Sequence, residues 1–235
     1  MSKAWKVGLS AGIGALLVIV AAVGALWYFV LRDDAPPPPS LPDREIAAEE
    51  NADAEIDGTW VVAEGTEAAP VFVGYRVEEL FAGNTIKSTA VGRTPAVTGT
   101  MTITGGQVTA VDVVADVQKL TSDQDRRDNF ITDNALQTNT FPESTFVLTA
   151  PIDLDAIPEI GETVTTPAIG DLTLHGVTRT IELELEARWN GDVIDINGLV
   201  PIAFADYEIS TPTIPGLVTA NDNGQMEFQL VFARA

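Results

Sequence analysis

From Ile56 onward, apolar and polar residues alternate in short runs separated by Gly, Pro, Asn and Asp. Val71, Val73, Tyr75 and Val77 share one parity. Ile181, Leu183, Leu185 and Ala187 alternate with Glu182, Glu184, Glu186 and Arg188, which puts apolar groups on one face of a strand and charges on the other. Met226, Phe228, Leu230 and Phe232 repeat the pattern near the C-terminus. Residues 97–104, 108–118, 143–149, 171–175, 193–198 and 199–205 are further strand candidates. Gly105-Gly106 and Asn190-Gly191-Asp192 are turn signals between them. About eight strands at this spacing predict an antiparallel sandwich or barrel.

Two stretches break the two-residue period. Thr121 to Phe130 has a hydroxyl cap, acids in a first turn and Asp125 three residues after Ser122, which predicts a helix from about Asp123 to Leu136. Phe130, Ile131 and Leu136 would face inward, and the helix would end before Phe141-Pro142. The second stretch is Val7 to Leu31, uncharged and almost wholly apolar. At ~1.5 Å per helical residue it exceeds the ~30 Å core of a bilayer. Lys3 and Lys6 precede it, and Asp33-Asp34 follow Arg32 directly, so the N-terminal residues 1–6 are expected in the cytoplasm and the rest outside. Trp27 and Tyr28 suit the outer interface. The competing reading is a signal peptide cleaved after Val23-Gly24-Ala25. The apolar run continues through Leu26 to Val30, which favours an uncleaved, single-pass anchor over residues 7–31. Either way the domain lies outside the cytoplasm.

Residues 32–55 read as a linker. Pro36 to Pro39 form an extended stretch, and Glu45, Glu49, Glu50, Asp53 and Glu55 follow, giving a stiff, charged spacer. The folded domain is then 56–235, enough for one core.

Charge and chemistry narrow the function. All 34 acidic residues follow Arg32, with ten of the 13 basic ones. This repels nucleic acid and favours solubility. The chain has no cysteine and one histidine, His175, which leaves no disulfide, thiolate nucleophile or thiolate metal site. No cofactor is expected. His175 lacks a Gly-x-Ser-x-Gly partner and suits a tight turn. Asp123 and Asp128 have no nucleophile or metal beside them in sequence, so a binding role is expected rather than an enzymatic one.

Three ordered motifs carry a family resemblance. Gly170-Asp171-Leu172-Thr173-Leu174-His175-Gly176-Val177-Thr178-Arg179 is the strongest. Thr121-Ser122-Asp123 through Arg126-Arg127-Asp128, with Phe141-Pro142 and Thr145-Phe146, is the second. Val73-Gly74-Tyr75-Arg76-Val77 with Ala90-Val91-Gly92-Arg93-Thr94 is the third. Over Trp60 to Phe232 the chain resembles the YceI-like family of exported lipid-binding proteins. It departs from that pattern after Trp60, where no His-Ser pair follows.

The resemblance implies an all-β, eight-stranded antiparallel lipocalin-like barrel with a short helical lid, here preceded by one N-terminal transmembrane helix. It also implies a long apolar ligand, typically a polyisoprenoid, and it is compatible with a homodimer. Alternation puts Val73, Tyr75, Val77, Phe146, Leu148, Leu172, Leu174, Leu183, Leu185, Phe204, Phe228 and Leu230 on the inward face. These residues would line the ligand site, but alternation does not say whether a cavity lies beneath them. Arg126 and Arg127 have two readings: salt bridges that orient the lid, or a forked grip on a headgroup such as a phosphate. The function expected is carriage or sequestration of a lipid by a membrane-tethered, extracytoplasmic protein. The alternative is an envelope interaction or adhesion module with a solid barrel.

Overall fold

Alternation becomes register in one antiparallel sheet of thirteen strands: β1 (Gly58–Val62), β2 (Phe72–Phe81), β3 (Ile86–Thr94), β4 (Val97–Thr104), β5 (Gln107–Asp116), β6 (Glu143–Leu148), β7 (Ile152–Asp153), β8 (Thr163–Leu174), β9 (Val177–Trp189), β10 (Val193–Ala203), β11 (Thr213–Ile214), β12 (Val218–Ala220) and β13 (Asn223–Arg234). The computed structural model describes residues 35–44, 55–81, 86–154, 157–211, 213–214 and 218–235. The apolar run 7–31, with residues 1–6 before it, lies outside them. Among the described residues no helix is long and apolar enough to cross a membrane.

β1, β4, β5, β6, β8, β9, β10 and β13 pair in that order, and β13 pairs back onto β1, closing an eight-stranded antiparallel barrel. β13 serves two partners. Phe232–Arg234 pair with β1, while Gln225–Gln229 pair with β2. β1 and β2 therefore occupy successive halves of one strand position, and β3 and β4 do the same beside them. In the upper half, β2 is the one strand that β3 pairs with among the described residues. The seam beyond β3 is covered by the segment after β5, which returns to the wall through a bridge between Arg93 and Thr121.

That segment carries the lid. Its helix, α1 (Asp125–Phe130), is shorter than expected because the chain widens into a π-type turn over Ile131–Ala135, closed by Leu136 N–H on the Ile131 carbonyl at 2.9 Å. Ser122 is not its cap. Gln124 stands at that position without a side-chain bond, and the Ser122 hydroxyl instead donates to Asp128 Oδ1 at 2.6 Å. Asp128 also accepts the Ser122 N–H at 3.0 Å, so the carboxylate on the helix ties down the chain that enters it.

The proline segment differs most from its expectation as a stiff, charged spacer. Residues 35–44 lie along the outer wall. An extended proline stretch has no internal hydrogen bonds, so its carbonyls are free acceptors. Arg76 Nη2 donates to the Pro36 carbonyl at 2.8 Å and Arg93 Nη2 to that of Pro37 at 2.7 Å. Arg188 Nη2 donates to Pro42, which is buried. Beneath the segment are two acids of the outward parity. Glu227 accepts Arg76 Nε at 3.1 Å and Arg93 Nε at 2.6 Å, and Asp195 accepts Arg44. Both carboxylate side chains are 0% exposed.

Candidate functional site: a two-chamber barrel interior

The inward parity encloses two adjacent chambers. The lower, ≈ 130 Å³, lies within the closed ring and is bounded almost wholly by carbon. The upper, ≈ 120 Å³, lies under the lid, which contributes Phe130, Ile131, Ala135 and Leu136. Val73, Ser144 and Met226 line both, so the two chambers adjoin at these residues.

Large inward residues would ordinarily fill an eight-stranded barrel. Here several aromatic rings lie along the wall instead, each over a glycine of the neighbouring strand. A Cβ on Gly198 would sit 2.5 Å from Phe228 Cζ, one on Gly170 2.4 Å from Phe146 Cζ, and one on Gly92 2.4 Å from Tyr75 Cε1. Missing side chains on one strand accommodate the rings of the next, which keeps the axis of the barrel open. The sequence reading gave these glycines no role. Their recurrence at inward positions opposite aromatics is the signal that could have revealed it.

Of the residues assigned to the site from the sequence, Phe146, Leu148, Leu172, Leu183, Leu185, Phe228 and Leu230 line the lower chamber. Tyr75, Val77, Leu174, Phe204 and Arg127 line the upper one, and Val73 lines both. Arg126 lines neither and is exposed. Adjacent residues on a helix do not share a face, so only one of the two arginines can turn inward. Residues not anticipated include Glu79 and Met226, and the second wall of the lower chamber, Met101, Ile103, Val108 and Val113.

Polar chemistry is confined to the upper chamber. Arg127 Nη2 pairs with Glu79 Oε2 at 3.1 Å, and Nη1 meets Asp123 and the Ser122 hydroxyl. Burial works against the Arg127 charge, but the Glu79 and Asp123 carboxylates more than offset it and raise its pKa above the ordinary arginine value. The guanidinium thus anchors the lid to β2 with its charge already met. Tyr75 Oη is buried nearby without a well-formed hydrogen bond, and burial pushes its pKa above the ordinary 10.0. His175 lines neither chamber. It occupies, at φ 51°, a two-residue turn with Gly176 at φ 74°, between the paired Leu174 and Val177. Its Nδ1 lies 3.0 Å from the Tyr207 carbonyl, which makes Nδ1 the protonated nitrogen, and its ring meets Phe141 edge-on. Among the described residues no group of acids and histidine is placed to hold a metal ion.

No curated protein sequence matches the chain. Among solved structures, a polyisoprenoid-binding domain from Saccharophagus degradans implicated in plant cell wall breakdown is similar in fold, with a TM-score of 0.57 at 19% identity over 75% of this chain and 98% of that one. Burkholderia cenocepacia BcnA aligns with a TM-score of 0.50 at 18% identity, over 67% of this chain and 95% of its own. The YceI-like domain family model matches residues 67–232. This span contains the lid, the residues shared by the two chambers and most of both chamber walls, and the chain belongs to the YceI-like family.

Proposed function

We propose that this protein holds a long, narrow apolar chain, a polyisoprenoid or a lipid of similar shape, threaded through both chambers for carriage or sequestration. The observation that carries this reading is a pair of adjoining, largely carbon-bounded chambers, one within the closed ring and one under the lid. Two chambers in line suit a linear chain better than a compact ring system. Each methylene-equivalent buried contributes about 0.8 kcal/mol before ordering costs, so affinity needs no charged contact. The open interior counts against the solid-barrel interaction module. The polyisoprenoid-binding domain of similar fold supports the choice of ligand class.

The charge of Arg127 is already paired, which disfavours an anionic headgroup and favours a neutral polar tip beside Tyr75. The reading is of a binding protein, since the polar groups of the upper chamber form an ion-paired brace rather than a nucleophile with a base. The apolar run 7–31 would tether the domain to the outer side of a membrane. Organic extraction and mass spectrometry of protein purified from its native membranes tests the proposal. A stoichiometric isoprenoid chain is expected. Repeated recovery of protein with no apolar chain, and no uptake of added polyprenol, would overturn it.

A further inference from the structure

The docked proline segment has a direction. Pro36 lies at Arg76, beside Glu227. Ser40 N–H donates to Gln229 Oε1 at 3.3 Å, and Arg44 reaches Asp195, whose register partner is Val231. The segment therefore runs parallel to β13, starting nearer the lidded end and moving away from it. Glu79 and Leu80 of β2 and the start of β13 mark that end, while the β9–β10 turn at Asp192 marks the other.

The stretch between the apolar run and Pro36 is short. Leu31, the last residue of the apolar run, precedes it by five positions, a reach of about 17 Å when fully extended. From the level of Arg76, β2 continues to its last residue, Phe81, about 17 Å at ~3.3 Å per strand residue. From Glu227 down to Arg234 is about 23 Å on the same scale. The end of the apolar run can therefore reach the lidded rim but not the opposite one.

We propose that residues 36–44 are an orienting strap that holds the lidded mouth of the barrel against the bilayer, so that ligand passes between membrane and upper chamber without crossing water. This rests on reading residues 7–31 as a membrane anchor. Glu227 and Asp195 give the strap its grip. They are buried acids on the outward face whose arginine partners belong to the strap or donate to its carbonyls. A flexible tether would have no need of them.

The chain has no cysteine, so single ones can be introduced cleanly. Asn129→Cys marks the exposed face of the lid and Asp192→Cys the exposed turn at the far end. Full-length protein carrying a fluorophore at either site is reconstituted into phosphatidylcholine vesicles containing a headgroup-linked nitroxide quencher. The label at position 129 should be strongly quenched and that at 192 hardly at all. The difference should vanish when a flexible Gly-Ser insert of twenty residues, spanning about 25 Å, follows Asp34 and leaves the strap intact. It should also vanish when residues 36–44 are replaced by Gly and Ser at equal length. If that replacement fails to fold, the insertion still decides. Equal quenching at both sites in protein that resists an alkaline wash would overturn the orientation alone. Release by that wash would overturn the anchor and the orientation with it, leaving lipid binding to the extraction experiment.

Discussion

Arg44 and Asp195 form a forked ion pair across 151 positions of sequence, with Nε to Oδ2 at 2.8 Å and Nη2 to Oδ1 at 2.9 Å. Asn190 Nδ2 completes the cradle at 2.7 Å. The Asp195 side chain is wholly buried, while that of Arg44 is 29% exposed. Arg44→Ala is expected to lower stability by about 3 kcal/mol, the lower end for breaking a buried pair, because the acid is left without its charge partner. Adding Asp195→Asn should recover much of that loss. Urea unfolding of the two variants checks both points; no recovery in the double variant would mean that the acid does not depend on the strap.

The openness of the lower chamber can be tested from two sides. Leu183 is 7% exposed and lines it, so Leu183→Trp should enter space that ligand occupies and abolish lipid recovery with little change in Tm. In a filled core the same change would cost about 1–3 kcal/mol. Gly198→Ala should lift the Phe228 ring off the wall into the same chamber and reduce bound lipid in the same way. Retained lipid in both variants would contradict a ligand at this level of the barrel.

The two lid arginines should behave differently. Arg127→Ala removes the brace between α1 and β2, and faster release of a bound fluorescent polyprenol is expected, with a stability loss of about 1–3 kcal/mol from unpaired Glu79. Arg126→Ala should stay within about 0.5 kcal/mol of the parent, as exposed substitutions do, with release unchanged. Stopped-flow release and thermal melting separate them, and equal effects would place the brace elsewhere.

Alkaline pH should destabilise the fold through Tyr75. Burial raises its folded pKa above the unfolded value of 10.0, so its contribution is intact below pH 10.0 and is lost as pH climbs from there towards the folded value. Tm measured from pH 9 to 11.5 should fall less steeply in Tyr75→Phe than in the parent. Tyr207, raised chiefly by burial as well, contributes in the same direction and remains in both proteins.

Where alternation was clean, sequence and structure agree closely: residues 97–104 are β4, and the Glu182–Glu184–Glu186 face of β9 is exposed. Two strands run longer than expected: β10 joins the candidates 193–198 and 199–205 across Gly198, and β8 extends back past Pro167. β10 runs unbroken through Pro201, which lies beyond the stretch paired to β9, and β8 begins well before Pro167, which precedes its pairing with β6. At such positions one side carries no ladder to lose. β3 escaped notice because its inward residues, Ala90, Gly92 and Thr94, are small enough to admit Tyr75 and so show no apolar stripe. The strap was illegible for a different reason. Alternation marks Glu227 as outward, but nothing in the spacing of charges tells an acid that faces water from one that another part of the chain covers.

The ring closes through β1, not β2, and this separates two kinds of motion. The hydrogen bonds that complete the circle lie at the lower end, while among the described residues the Arg127–Glu79 brace and the bridge between Arg93 and Thr121 tie the lid segment to the upper wall. Admitting a ligand can therefore draw on a local opening of low free energy while the circle stays intact. Amide hydrogens of the lid are therefore expected to exchange faster than those of the lower strands.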